Sequence, residues 1–160
     1  MSNAKEAFTP QDVEYMRLAL EQAREAVSHG DVPVGAVLVC DTTGETVAVG
    51  CNTRELQGSA TGHAEVNAIQ AACEKLGRWR LSDCTLYVTL EPCPMCTGAI
   101  LSARIPRVVC GAKDAVAGAM GSVWSLHTHP ATPQTTRISY GCLDSESRTL
   151  LQDFFQSKRK

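Results

Sequence analysis

Apolar positions recur along this chain with two periods. Residues 11–29, "QDVEYMRLALEQAREAVSH", place Val13, Met16, Leu20, Ala23 and Val27 at helical spacing, and Gly30 follows as a stop. The segments "VGAVLVC" (34–40) and "TVAVGC" (46–51) predict two strands, and the intervening "DTTGE" suits a hairpin turn. "HAEVNAIQAACEKLG" returns to the helical period with Val66, Ile69, Cys73 and Leu76 on one stripe, Thr61 as a cap before it and Gly77 as its end. "CTLYVTL" (84–90) is apolar on both sides, as a strand at the centre of a covered sheet should be.

A helix over 94–103, a strand over 107–112 and an edge strand over 136–141 follow. The closing "DSESRTLLQDFFQSKRK" predicts an amphipathic helix capped by Asp144 or Ser145. The order helix, strand, strand, helix, strand, helix, strand, strand, helix describes an α/β chain whose sheet is covered on both faces. Residues 112–135, rich in Gly, Thr and Pro, are too long for a plain connection and predict a functional or mobile loop.

With 160 residues, the chain suits a single domain over 1–160. Its wholly apolar runs are short, so no membrane span is expected, and "MSNAKEAFTPQDVEYM" lacks the apolar core of a leader. The expected location is therefore the cytoplasm. Eight cysteines in a reducing compartment point to metal or redox chemistry where they cluster, and the scattered ones read as small buried hydrophobes. A net charge of −2 argues against a generic basic nucleic-acid binder. Local cationic patches remain, at Arg78 and Arg80 beside Trp79 and in the terminal "SKRK", and on charge alone both read as solvated surface.

The cysteines of "VTLEPCPMCTGAI" carry the sharpest signal. Pro92 ends the strand and Pro94 suits a first helical turn, which sets Cys93 and Cys96 on one face of that turn. The helix dipole there favours thiolates. Alone, the pair fits a redox dithiol or part of a metal site. His63 and Glu65 stand at the start of another helix, and side chains two apart converge only on a site in front of the helix end. One imidazole and two thiolates give zinc three protein ligands and leave its fourth position open, the count of a catalytic site. Glu65, beside the metal without ligating it, suits a proton carrier. His-x-Glu followed by Pro-Cys-x-x-Cys is the signature of zinc-dependent nucleobase deaminases.

On "VPVGAVLV", "HAEVNAI", "WRLSDCTLYVTLEPCPMCTGAI", "SARIPRVVCGAKDAVAGAMGS" and "LLQDFF", the sequence resembles the cytidine deaminase-like superfamily, and within it the bacterial tRNA-specific adenosine deaminases. The resemblance implies a three-layer α/β/α sandwich around a mixed five-stranded sheet. It also implies a homodimer that uses Zn2+ to convert the wobble adenosine of a tRNA anticodon stem-loop to inosine. Asn52 matches the base-contacting asparagine of the family, and the backbone N–H of Ala64 would face the purine. The chain departs from the family pattern at "GSATGHAE", where Asp-Pro is usual, at "ATPQTTR", where an Asn-His pair is usual, and at Val116, where a lysine is frequent.

Three other readings separate from this one. A deaminase of a free base or nucleoside (guanine, cytosine or a related ring) would share the zinc motifs without needing a groove for flanking nucleotides; Phe154, Phe155, Lys158, Arg159 and Lys160 suit RNA, and equally suit a helix that docks by its phenylalanines and ends in frayed charges. A non-catalytic zinc-binding scaffold would have no use for Glu65. A thiol oxidoreductase would leave His63 and Glu65 unexplained.

Overall fold

The computed structural model describes residues 8–133 and 135–158. The leader reading of the first residues and the Arg159–Lys160 end of the cationic tail lie largely or wholly outside that range. Five strands form one sheet in the order β2-β1-β3-β4-β5: β1 is Gly35–Cys40, β2 Thr46–Cys51, β3 Cys84–Leu90, β4 Arg107–Ala112 and β5 Arg137–Ser139. β1 runs antiparallel to β2 and β3, whereas β3, β4 and β5 run parallel, so the sheet is mixed. β3 is central, as its two apolar faces predict, and β5 is a three-residue edge strand.

Helices cover both faces. α1 (Pro10–Ser28) and α5 (Asp144–Lys158) pack on one, while α3 (Ala64–Leu76) and α4 (Pro94–Ser102) pack on the other. Odd residues of β1 face α1 and even ones face α3, because successive side chains of a strand alternate. Two glycines set how closely the layers meet. A Cβ on Gly35 would strike Ala19 O of α1, and one on Gly50 would strike Ala64 O of α3. Each glycine therefore lets a helix backbone lie directly on the sheet.

Several details differ from the sequence reading. The stripe of α1 rotates at its end, where Ala26 is buried and Val27 lies 42% exposed. α3 buries its small side chains, Ala64, Ala68 and Ala72 with Ile69, and leaves Val66, Cys73 and Leu76 at the margins. Close backbone approach at Gly50 selects alanines over larger apolar residues. Thr61 is not the cap of α3; His63 is, without a side-chain cap bond. α5 already begins at Asp144, after Leu143 in the left-handed region, so neither Asp144 nor Ser145 stands outside it as a cap. A four-residue helix, α2 (Arg54–Gln57), follows β2 where the apolar pattern predicts no element. Of the scattered cysteines, Cys84, Cys110 and Cys142 are buried, but Cys40, Cys51 and Cys73 are only partly so, and all eight cysteines are free.

The layers are tied at the α1 face by one carboxylate. Thr9 and Asp12 form a capping box, and Pro10 is the first helical residue. Asp12 also accepts from Tyr87 Oη at 2.7 Å and from both terminal nitrogens of Arg107, joining α1 to β3 and β4. Burial raises the pKa of Asp12, yet the bonds from Arg107, Tyr87 and the Thr9 N–H outweigh it and hold the carboxyl at about 2. Among the described residues, no helix is long and apolar enough to cross a membrane.

Candidate metal centre and its pocket

α3 and α4 start from the same end of the sheet, and the site lies between their first turns. His63 and Cys93 are the residues immediately before these helices, both with extended backbone and neither with a side-chain cap bond. A residue in that position aims its side chain past the helix end rather than along its flank. Cys96 lies in the first turn of α4. The result is convergence: Nδ1 of His63 is 3.5 Å from Sγ of Cys93 and 3.5 Å from Sγ of Cys96. The three ligand atoms all fall within 4.8 Å of one another, and among the described residues this is the one such cluster of three or more His, Cys, Asp or Glu.

The donor set fits zinc. Two sulfurs and one imidazole nitrogen meet with no competing cap bonds, and they are soft and borderline donors of the kind zinc selects. The site is also primed to lose protons. The bond from the Cys96 thiol, aided by His63, pulls the Cys93 thiol down to about 4 against the effect of burial. Cys96, holding the shared proton and fully buried, is pushed far up. The bond to Cys93 raises the pKa of His63. Metal binding at such a group releases the held proton.

Glu65 is 4% exposed in the first turn of α3, and burial pushes its carboxyl up to about 7, with the Cys93 charge adding to the rise. His63, Ala64, Glu65 and Cys93 line a pocket of about 720 Å³. Asn52, just after β2, lines the same pocket. Its Oδ1 accepts from the Arg54 N–H at 3.1 Å, which turns the Nδ2 donors away from that bond. Phe154, Phe155 and Lys158 of α5 reach the rim, where Phe154 is buried, Phe155 is 47% exposed and the two rings meet edge to face. The sequence thus named six site positions, and the fold brings all six together. Arg78, Trp79 and Arg80 do not line this pocket: Arg78 is paired with Asp83, and Arg80 and Arg104 lie over the Trp79 ring.

Three supporting residues escaped the sequence reading. Asn67, one turn beyond His63 on α3, donates to Cys51 O and Thr53 Oγ1 at 2.9 Å and so fixes the chain around Asn52. Asp31 accepts from the backbone of Glu55 and Leu56 and pairs with His29 at 2.8 Å, holding α2 at the pocket edge. Glu91 is a buried carboxylate between β3 and Cys93. Helical spacing from His63 could have pointed to Asn67. The other two meet their partners only in the fold.

Comparison with known proteins agrees with this geometry. The family model for the cytidine and deoxycytidylate deaminase zinc-binding region matches residues 9–112. The tRNA-specific adenosine deaminase of Bacillus subtilis (strain 168) is 42% identical over 150 residues, covering 94% of this chain and 92% of that protein. The protein of the same name from Agrobacterium fabrum is 45% identical over 146 residues, covering 91% and 94%. A solved structure from work on A-to-I editing by tRNA:A34 deaminases at the wobble position of transfer RNA superposes with a TM-score of 0.83 at 42% identity, covering 86% of this chain and 99% of that one.

Proposed function

The chain belongs to the cytidine and deoxycytidylate deaminase family, and from that premise we propose that His63, Cys93 and Cys96 hold a zinc ion beside which Glu65 moves the protons of a hydrolytic deamination. The reaction is the conversion of adenosine to inosine at the wobble position of a tRNA anticodon, with release of ammonia. The observation that carries the site assignment is the meeting of one imidazole and two thiols at the head of a pocket that also holds a buried carboxylate.

When bound, zinc supplies a Lewis acid at which water becomes a nucleophile near neutral pH. The residues of the chain do the rest. Deamination joins a water oxygen to C6, breaks the C6–N bond and needs a proton at N1 and then at the departing amine. Glu65 takes one proton of the attacking water to N1, then takes the remaining proton from the oxygen now on C6 to the departing amine, and its burial keeps bulk solvent from intercepting them. Asn52 and the N–H of Ala64 hold the purine edge in the pocket they line. The exposed Phe155 ring and the Lys158 ammonium at the rim suit stacking and phosphate contact with neighbouring nucleotides.

A base must leave its stack to enter such a pocket, so loop RNA is the natural substrate. An anticodon stem-loop should be deaminated at least about tenfold faster than the same adenosine in a duplex, and the rate should fall as salt rises. Equal rates on loop and duplex would remove the RNA-loop reading.

We also propose a homodimer acting in the cytoplasm. Apolar Met95 of α4 with Val123 and Trp124 of the neighbouring loop are left 36%, 45% and 46% exposed, which supports the assembly. Eight free cysteines support a reducing compartment. Sedimentation at the single-chain mass would exclude the dimer, and recovery of the protein outside the soluble cytoplasmic fraction would exclude that compartment.

A further inference from the structure

The segment 113–125 is wrapped around a carboxylate that takes no part in the chemistry above. Glu91 is 2% exposed, and both of its oxygens are used. Oε1 accepts from the Asp114 N–H at 3.1 Å and from the Ser122 hydroxyl at 2.5 Å. Oε2 accepts from the Met120 N–H at 3.2 Å and the Ser122 N–H at 3.1 Å. Three of these donors are backbone groups spread over nine residues, so one side chain closes the whole loop.

The loop is built to admit that carboxylate. A Cβ on Gly118 would collide with Cδ and Oε2 of Glu91. Gly118 O in turn accepts from Val123 N and Trp124 N, and Ala119 N donates to Pro92 O. Asp114 and Ala117 of the same loop line the pocket, and so does Glu91 itself. Without the carboxylate, three buried or half-buried N–H groups lose the acceptor they have in this structure.

We propose that Glu91 is a positioning residue for substrate, acting through residues 113–125 as the pocket wall that meets the RNA beside the target adenosine. The inference rests on the deaminase reading for the identity of the substrate. It assigns Glu91 to binding rather than to metal retention or to proton transfer. The carboxylate lies two residues from Cys93, but its oxygens point to the loop and make none of the bonds among His63, Cys93 and Cys96.

The test uses Glu91→Gln and Gly118→Ala in the full chain, with Ser122→Ala as the mild variant that removes one donor. In Glu91→Gln an NH2 group replaces an acceptor oxygen, and in Gly118→Ala the added methyl pushes the carboxylate away. Both should keep one zinc per chain and raise KM for the anticodon stem-loop by about tenfold or more, with kcat changed by no more than about threefold. Ser122→Ala should move KM the same way by less. A fall in kcat at unchanged KM, or loss of zinc, would overturn the proposal. Amide hydrogen exchange gives a readout independent of turnover: the N–H groups of Asp114, Met120 and Ser122 should exchange faster in Glu91→Gln. Unchanged protection there would overturn the wall itself. If wild-type protein ignores the stem-loop while these amides still respond to Glu91→Gln, the wall stands and the error lies in the substrate.

Discussion

Glu65→Ala should lose at least about 10⁴-fold in turnover while keeping its zinc and its fold, because the carboxylate serves more than one proton transfer and each is worth about 10²–10⁴-fold. The fold should tolerate the change for a local reason. Glu65 belongs to the buried face of α3, whose other members include Ala64, Ala68 and Ala72, and an alanine suits that closely packed helix. Two bonds that fix α3 at its start do not involve this side chain: Asn67 N donates to His63 O, and Asn67 Nδ2 ties the helix to the preceding loop. Turnover and metal content should therefore separate. A variant with a tenth of wild-type activity would remove Glu65 from its role.

Cys96→Ser should lose zinc. The side chain is 0% exposed in the first turn of α4, so bulk water has no direct way into its place. A serine hydroxyl keeps its proton where a thiol gives it up, and a site with three protein ligands has none to spare. Removing an outer hydrogen-bond partner of a metal ligand costs about 10–100-fold in affinity, and loss of a ligand itself should exceed that. Metal analysis after dialysis against a mild chelator is the measurement. Full zinc retention would mean that a different set of side chains binds it, and the assignment of His63 and Cys93 would fall together with that of Cys96.

The chemistry was legible in the sequence because it is written in short-range terms. Pro94 after Cys93 announces a helix start, and residues at such starts aim past the helix end. That reasoning brought His63, Glu65, Cys93 and Cys96 to one place before any fold was known. Element order was legible for a similar reason, since periodicity separates helices from strands, and the two-faced apolar run of β3 marks a central strand. What periodicity missed depends on contacts between distant segments. Ile69 of the predicted stripe is buried and Cys73 and Leu76 pack at its edge, but Gly50 on β2, fourteen residues before Ala64, brings Ala64, Ala68 and Ala72 to the centre of the buried face of α3. α2 forms where the Asp31 carboxylate waits for the N–H groups of Glu55 and Leu56, more than twenty residues on. Length and composition mark 112–135 as functional or mobile, but that it folds around Glu91 shows only in the structure.

The departures from the family pattern can be placed as well. "GSATG" follows α2, where Gly58 closes the short helix in the left-handed region and Gly62 lies against Thr53. Val116, where a lysine is frequent in the family, is 84% exposed on the loop that Glu91 organises. Neither residues 58–62 nor Val116 line the pocket, and the three ligand atoms still meet beside Glu65.

The account stands most directly on one measurement: inosine at the wobble position of an anticodon stem-loop, quantified together with released ammonia, for wild-type protein and Glu65→Ala, beside free guanine, cytosine and adenosine. It predicts one ammonia per inosine from the wild-type protein, no detectable inosine from the variant, and little turnover of the free compounds. Brisk deamination of free guanine or cytosine with an untouched stem-loop, or inosine formed equally well without Glu65, would contradict it.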